Sequence, residues 1–152
     1  MGRFPLAAIL VLAVALAAGA DARTRKTSAD WDDLGAEFCR LTLAGDMAGL
    51  RPLLSDSLAG AIVAAAANPA MPPARILFQT YANEVPNCAA DTRNGALVEI
   101  KRSNAGGGAP SWSEYLVIVP ERDGTSRIDD VLFATRRSDT LRARLDHFAA
   151  TR

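Results

Sequence analysis

Trp112-Ser113-Glu114-Tyr115-Leu116-Val117-Ile118-Val119 is a run of aromatic and β-branched side chains closed by Pro120. Such side chains suit a pleated, half-buried surface, so the run reads as a strand. A turn around Asp123 and Gly124 leads into Arg127-Ile128-Asp129-Asp130-Val131-Leu132-Phe133-Ala134-Thr135, and the natural pairing of the two runs is an antiparallel hairpin. Upstream, Asn94-Gly95 separates two more potential strands, a dipeptide suited to the tight turns that need positive φ. The later of these alternates, with Ala96, Val98 and Ile100 to one face and Leu97, Glu99 and Lys101 to the other. The loop from Ser103 to Ser111 contains consecutive glycines, but a strand follows it. A phosphate cradle needs a helix N-terminus at that point, so no such role follows.

Before residue 76 the apolar period is three to four rather than two. Trp31, Leu34, Phe38 and Leu41 mark a helix, with Asp30 placed to cap it and Gly45-Asp46 to stop it. A shorter helical piece from Asp46 to Leu54 is bent by Gly49 and Pro52. A third helix, capped by Ser55 or Asp56, turns Leu58, Ile62 and Ala65 or Ala66 inward and ends at Asn68-Pro69. The prolines between Ala67 and Arg75 make that segment a connector, and Ile76 to Tyr81 reads either as a strand or as a helical turn. At the other end, Ser138 or Asp139 caps a short helix whose apolar stripe is Leu141, Leu145 and Phe148. Helices followed by an antiparallel sheet define an α+β fold, the helices on one face of the sheet and the C-terminal helix packing back on it.

Arg3 followed by an unbroken apolar run from Leu6 to Ala18 is the pattern of a secretory signal peptide. About 13 residues at 1.5 Å each reach only about 20 Å, short of the roughly 30 Å hydrocarbon layer, which disfavours a permanent membrane anchor. Small residues allow cleavage after Ala20 or after Ala22, and no cysteine stands there to accept a lipid. The expected organisation is therefore a signal peptide at 1–22, a flexible segment at 23–29 and one α+β domain at 30–152. About 130 residues remain, enough for a single core. Export, with an arginine- and alanine-rich composition of bacterial GC-rich type, points to a periplasmic or secreted product.

Cutting after Ala20 removes Arg3 and no acid, taking 17 basic and 17 acidic residues to 16 and 17. Nucleic-acid binding needs clustered positive charge to displace counterions. Here Arg122, Arg127, Arg142 and Arg144 alternate with Glu121, Asp123, Asp129 and Asp146, so nucleic acid is not an expected partner. Cys39 and Cys88, the only cysteines, enter an oxidising compartment, where a structural disulfide is the leading expectation. Two separately buried thiols are the alternative. A catalytic thiolate ranks last, because the one histidine, His147, lies far along the chain.

The segments Phe38-Cys39-Arg40-Leu41 and Ala44-Gly45-Asp46-Met47, followed by a long hairpin carrying Trp112-Ser113-Glu114-Tyr115-Leu116 and Arg127-Ile128-Asp129-Asp130-Val131, resemble the nuclear-transport-factor-2-like superfamily, the cystatin-like cone fold. The likeness is to its small secreted bacterial members of uncharacterised function and covers nearly the whole processed chain. It implies a strongly curved sheet wrapped on helices, with a pocket at the open end. Enzymes of this fold place an acid, tyrosine or histidine inside the cone, and no residue here matches those positions one by one. Fold alone does not assign the pocket's use.

Four residues stand out as candidate ligand contacts: Asp130, Tyr115, Trp112 and Arg136. Asp129 and Asp130, adjacent on a strand, are expected on opposite faces and not as an acid/base couple. If Asp130 shares a face with Ile128 and Leu132, it needs an arginine or backbone amides as partner; a solvated pair and a ligand-facing acid are the other readings. Trp112 and Tyr115 also fall on opposite faces, either able to line a pocket, while Trp31 reads as a core or rim anchor. Arg136, Arg137 and Asp139 cluster at the sheet's end as solvated charge or as a dock for an anionic ligand. His147 reads as a helix-end residue, and a lone histidine without suitably spaced carboxylates or thiolates holds no metal. No metal and no cofactor are expected. The leading functional expectation is a non-catalytic binding domain that uses the sheet's concave face or an exposed edge against a protein or small ligand outside the cytoplasm. The alternative is a small-substrate isomerase or dehydratase with Asp130 or Tyr115 as the acid/base group inside the cone.

Overall fold

The structure, a computed structural model, describes residues 18–83, 85–94, 97–104 and 111–151. Most of the apolar leader, Gly95 of the hairpin turn and most of the glycine loop lie outside them. The first helix, α1, spans Ala18–Ala44 and so begins well before Asp30. Asp30 therefore caps nothing, and residues 23–29, expected to be irregular, are helical. No proline interrupts that stretch, and its Arg, Lys and Ala residues carry little helical penalty. Asp32 instead turns to the sheet, its Oδ1 accepting the Thr92 N–H at 3.0 Å. The C-terminus of α1 is closed as expected. Gly45 takes φ +72, and the Gly45 and Asp46 amides donate back to the Thr42 and Leu41 carbonyls, which leaves no helix-end carbonyl of that pair unsatisfied.

Asp46 then caps the short α2, Met47–Leu50, and a 3-10 turn, Arg51–Leu53, follows at Pro52. Ser55 caps α3, Asp56–Ala65, by accepting the Leu58 N–H. Between Ile76 and Tyr81 the helical reading holds: Pro73 precedes a single turn, α4, Ala74–Leu77. The strands are β1 (Asn87–Asn94), β2 (Leu97–Ser103), β3 (Ser111–Pro120) and β4 (Ser126–Leu132), all antiparallel neighbours in sequence order, and α5 (Leu141–Ala150) closes the chain. Thr140, not Ser138 or Asp139, caps α5, because its hydroxyl accepts the Ala143 N–H. The fold is α+β, as the change of period from helical to alternating implies.

One sheet face carries Val98, Ile100, Leu116, Ile118, Ile128 and Val131 into the core. Phe38 and Leu41 of α1, Leu58 and Ile62 of α3, and Leu141 and Leu145 of α5 meet them there. Each such side chain contributes about 1.5–3 kcal/mol on burial, which makes this layer the main source of stability. Gly35 lets α1 approach: a Cβ there would stand 2.6 Å from the Ala90 Cβ and 2.8 Å from Val98 Cγ1. The Cys39–Cys88 disulfide ties the same helix to β1 across Cα atoms 5.4 Å apart. At the opposite edge β4 is not left open. The Ser55 N–H donates to the Ile128 carbonyl at 2.8 Å, and Thr140 bridges Leu132. Covering an edge strand in this way removes a template for unwanted pairing.

Candidate functional site

The acidic pair departs from strict alternation. Val117 faces Asp130 while Ile118 faces Ile128, so Asp129 is an extra residue, a β-bulge in β4. The bulge puts Ile128 and Val131 on the core face and leaves Asp130 on the other face with Leu132. Asp130 thus does not share a face with both Ile128 and Leu132, yet it takes the backbone amides that such a position would call for. Nor do the two acids diverge: both reach Arg142. Asp129 Oδ1 accepts from Arg142 Nη2 at 2.6 Å and from the Ser55 hydroxyl at 2.6 Å, and Asp130 Oδ1 accepts the Arg142 and Val131 N–H groups at 3.0 and 2.8 Å. The bulge ties β4 to the first turns of α3 and α5.

Within the core face the chemistry is sealed rather than open. Alternation carries Arg102 inward beside Ile100, and Glu114 inward beside Leu116. Arg102 Nε donates to Glu114 Oε2 at 2.7 Å, with the two side chains 2% and 0% exposed. Arg102 Nη2 also donates to the Phe78 carbonyl at 2.9 Å, while Glu114 Oε1 accepts from Trp112 Nε1 at 3.2 Å and from the Thr80 N–H. Trp112 packs edge-on against Tyr81, with ring centroids 5.0 Å apart. This network ties the segment after α4 to the sheet, and a buried ion pair needs such additional bonds to offset its desolvation. Trp112 therefore belongs to an internal network, and Tyr115, half-exposed, lies on the opposite sheet face. Trp31 is a buried anchor, donating through Nε1 to the Ser126 hydroxyl at 3.0 Å.

A groove of about 600 Å³ opens away from the sheet, between the α4 region and α5. Ile76, Leu77 and Tyr81 form one wall, and Ala143, His147 and Phe148 the other. Arg144 lines it and is engaged on all three guanidinium nitrogens. Nε and Nη2 donate to the two carboxylate oxygens of Asp139 at 2.8 and 2.9 Å, Nη1 donates to the Gln79 carbonyl at 2.8 Å and Nη2 to the Thr80 carbonyl at 2.9 Å. The guanidinium also lies 3.7 Å above the Phe133 ring. That bidentate contact, helped by the Thr135 hydroxyl, holds the Asp139 carboxyl below its ordinary range despite partial burial. Arg136 lines the same groove, exposed, and its guanidinium forms no hydrogen bond among the described residues. His147 sits at the helix end, as its position in the chain suggests, and also faces the groove. Arg137 is exposed and lines none of it.

Of the candidate contacts, then, only Arg136 lines this groove; Asp130, Tyr115 and Trp112 are held elsewhere. Among the described residues no cluster of three or more His, Cys, Asp and Glu side chains is arranged to hold a metal ion. No helix among them is long and apolar enough to cross a membrane. Sequence reading missed the Arg102–Glu114 pair, although the signal was present: each is a charged residue at an apolar-face position on adjacent strands. It also missed the groove, whose walls come from segments about sixty residues apart with no shared motif. Comparison of the chain with protein-family models, with curated proteins and with solved structures finds no match to any of them.

Proposed function

We propose that this chain is an exported, non-catalytic binding domain of the nuclear-transport-factor-2-like type, and that its ligand site is the groove between the α4 region and α5. The groove itself carries the reading. Its volume, about 600 Å³, lies within the range usual for small-molecule sites, and its lining joins apolar side chains such as Ile76, Leu77 and Phe148 to polar ones such as Tyr81, Arg136 and His147. A general acid or base needs a carboxyl or imidazole free to exchange a proton with a substrate. Here the groove's one carboxylate, Asp139, is bonded on both oxygens by Arg144, so the His147 imidazole has no free carboxyl in the groove to work beside it, which favours binding over turnover. Asp130 and Tyr115, the groups on which an isomerase or dehydratase reading relied, are bonded within the bulge or exposed on the sheet's other face. The Cys39–Cys88 disulfide supports an oxidising compartment, periplasmic or secreted.

The test is a thermal-shift survey of the processed protein against small organic anions, cations and neutral compounds, run beside Ala143→Trp, which fills the groove from α5. Saturable stabilisation of the wild type by at least one compound, lost in Ala143→Trp, is the expected result. Stabilisation unchanged by the tryptophan would place the site elsewhere and overturn the assignment.

A further inference from the structure

We infer that the groove selects small amphipathic monoanions, a carboxylate with a medium-length apolar tail, with Arg136 as the group that holds the anion; this rests on the groove being the ligand site. The charge inventory of the groove is the basis. Two guanidinium groups and one carboxylate line it, Arg136, Arg144 and Asp139. Arg144 has both Asp139 oxygens, two backbone carbonyls and the Phe133 ring as partners, so it and Asp139 are held chiefly by protein groups. The depressed carboxyl keeps Asp139 charged, and the pair is neutral as a unit. Arg136 also attracts the Asp139 carboxylate through space, and the three groups together leave the groove one positive charge in excess.

The position of that charge is set by the fold rather than by chance exposure. The Arg136 carbonyl accepts the Asp139 N–H at 3.0 Å, closing the turn that carries the chain from β4 to α5, so the Arg136 backbone is fixed at the groove's edge. Behind it Ile76, Leu77, Ala143 and Phe148 present apolar surface, with Tyr81 and His147 as the polar side chains of the two walls. Along that apolar surface a polar ligand body would leave groups unsatisfied, whereas an apolar tail gains by burial. A cationic amphiphile would satisfy the walls and be repelled at the rim. A small inorganic anion would satisfy the rim and leave the walls empty. An arginine fork paired with a carboxylate, plus an apolar tail along the walls, satisfies both.

The experiment is isothermal titration of the full processed protein with decanoate, decyltrimethylammonium and acetate, each below its micelle concentration, using wild type, Arg136→Gln and Ala143→Trp. Decanoate binding to the wild type, about tenfold weaker in Arg136→Gln and absent in Ala143→Trp, with acetate and the cation binding far more weakly, is the expected pattern. If decanoate and decyltrimethylammonium bind equally and Arg136→Gln changes neither, while Ala143→Trp abolishes both, the groove stands as a binding site and its anion selectivity is refuted. If decanoate fails to bind the wild type, or binds Ala143→Trp undiminished, the inference fails. Arg136 is exposed and its guanidinium forms no hydrogen bond among the described residues, so its substitution leaves folding intact and the comparison readable.

Discussion

Two arginines, Arg102 inside the sheet layer and Arg136 at the groove's rim, show how the same side chain takes opposite parts in one small domain. Arg102 is 2% exposed, salt-bridged to Glu114 and bonded to the Phe78 carbonyl. Its charge is wholly matched, and its effect is to fix where the segment after α4 lies. Arg136 is exposed, its guanidinium without a hydrogen bond among the described residues, at the edge of a groove lined in part by apolar side chains. A buried charge without partners would be expelled by desolvation, so complete pairing inside is what folding itself requires. An unmatched charge at the mouth of an apolar cavity is not required by folding. That difference separates structural polar groups from those available to a ligand, and Arg144 marks the boundary, lining the groove yet bonded on all three guanidinium nitrogens.

The comparison predicts effects that diminish from the interior outward. Glu114→Ala leaves Arg102 buried and unpaired and should cost about 3–5 kcal/mol in chemical denaturation. The double change Arg102→Met with Glu114→Leu should recover most of that loss; a double variant as unstable as the single one would show that packing, not charge, dominates there. Opening the disulfide with Cys39→Ala and Cys88→Ala should cost about 4 kcal/mol, from the loop closed by a sequence separation of 49. Gly35→Ala, which forces a Cβ against Ala90 and Val98, should cost about 1–3 kcal/mol, measured as a lower Tm.

Arg144→Met removes a bidentate contact and two carbonyl bonds, with an expected cost of about 2 kcal/mol. It should also change the response to acid. The folded carboxyl of Asp139 is depressed, so its contribution is complete above the unfolded carboxylate range and is lost as pH falls through the folded value. Wild type should therefore lose stability below about pH 4 more steeply than Arg144→Met, as read from urea midpoints across pH. Equal slopes would remove Asp139 as an acid-sensitive tie. Smallest of all, Arg136→Gln should move stability by no more than about 0.5 kcal/mol, as for an exposed side chain that forms no hydrogen bond among the described residues.

Much of this was legible in the chain. The change from three-to-four spacing to alternation located the helices before the sheet, Asn94-Gly95 marked the first hairpin, and Ser55 and Gly45 marked helix ends by their chemistry. What escaped had physical causes. Asp30 looked like a cap because a polar stretch precedes it, but nothing there stops a helix. Asp129 and Asp130 looked divergent because alternation was assumed through a bulge, and one inserted residue cannot be seen from composition. The groove escaped because Ile76, Arg136 and His147 are brought together only by the way α5 folds back past α4. A sequence read one element at a time does not reveal such a meeting.

The most direct test of a groove with one positive charge in excess, held at its edge by Arg136, is a nitrogen-15-edited NMR titration of the processed protein with decanoate, following the backbone amides and the Arg136 side-chain Nε–H signal. Shifts concentrated on residues 76–82 and 143–148, with the Arg136 signal moving at the same saturation, are the predicted result. Shifts centred on Tyr115 and the outer sheet face, or an Arg136 signal that stays fixed while the groove amides move, would contradict it.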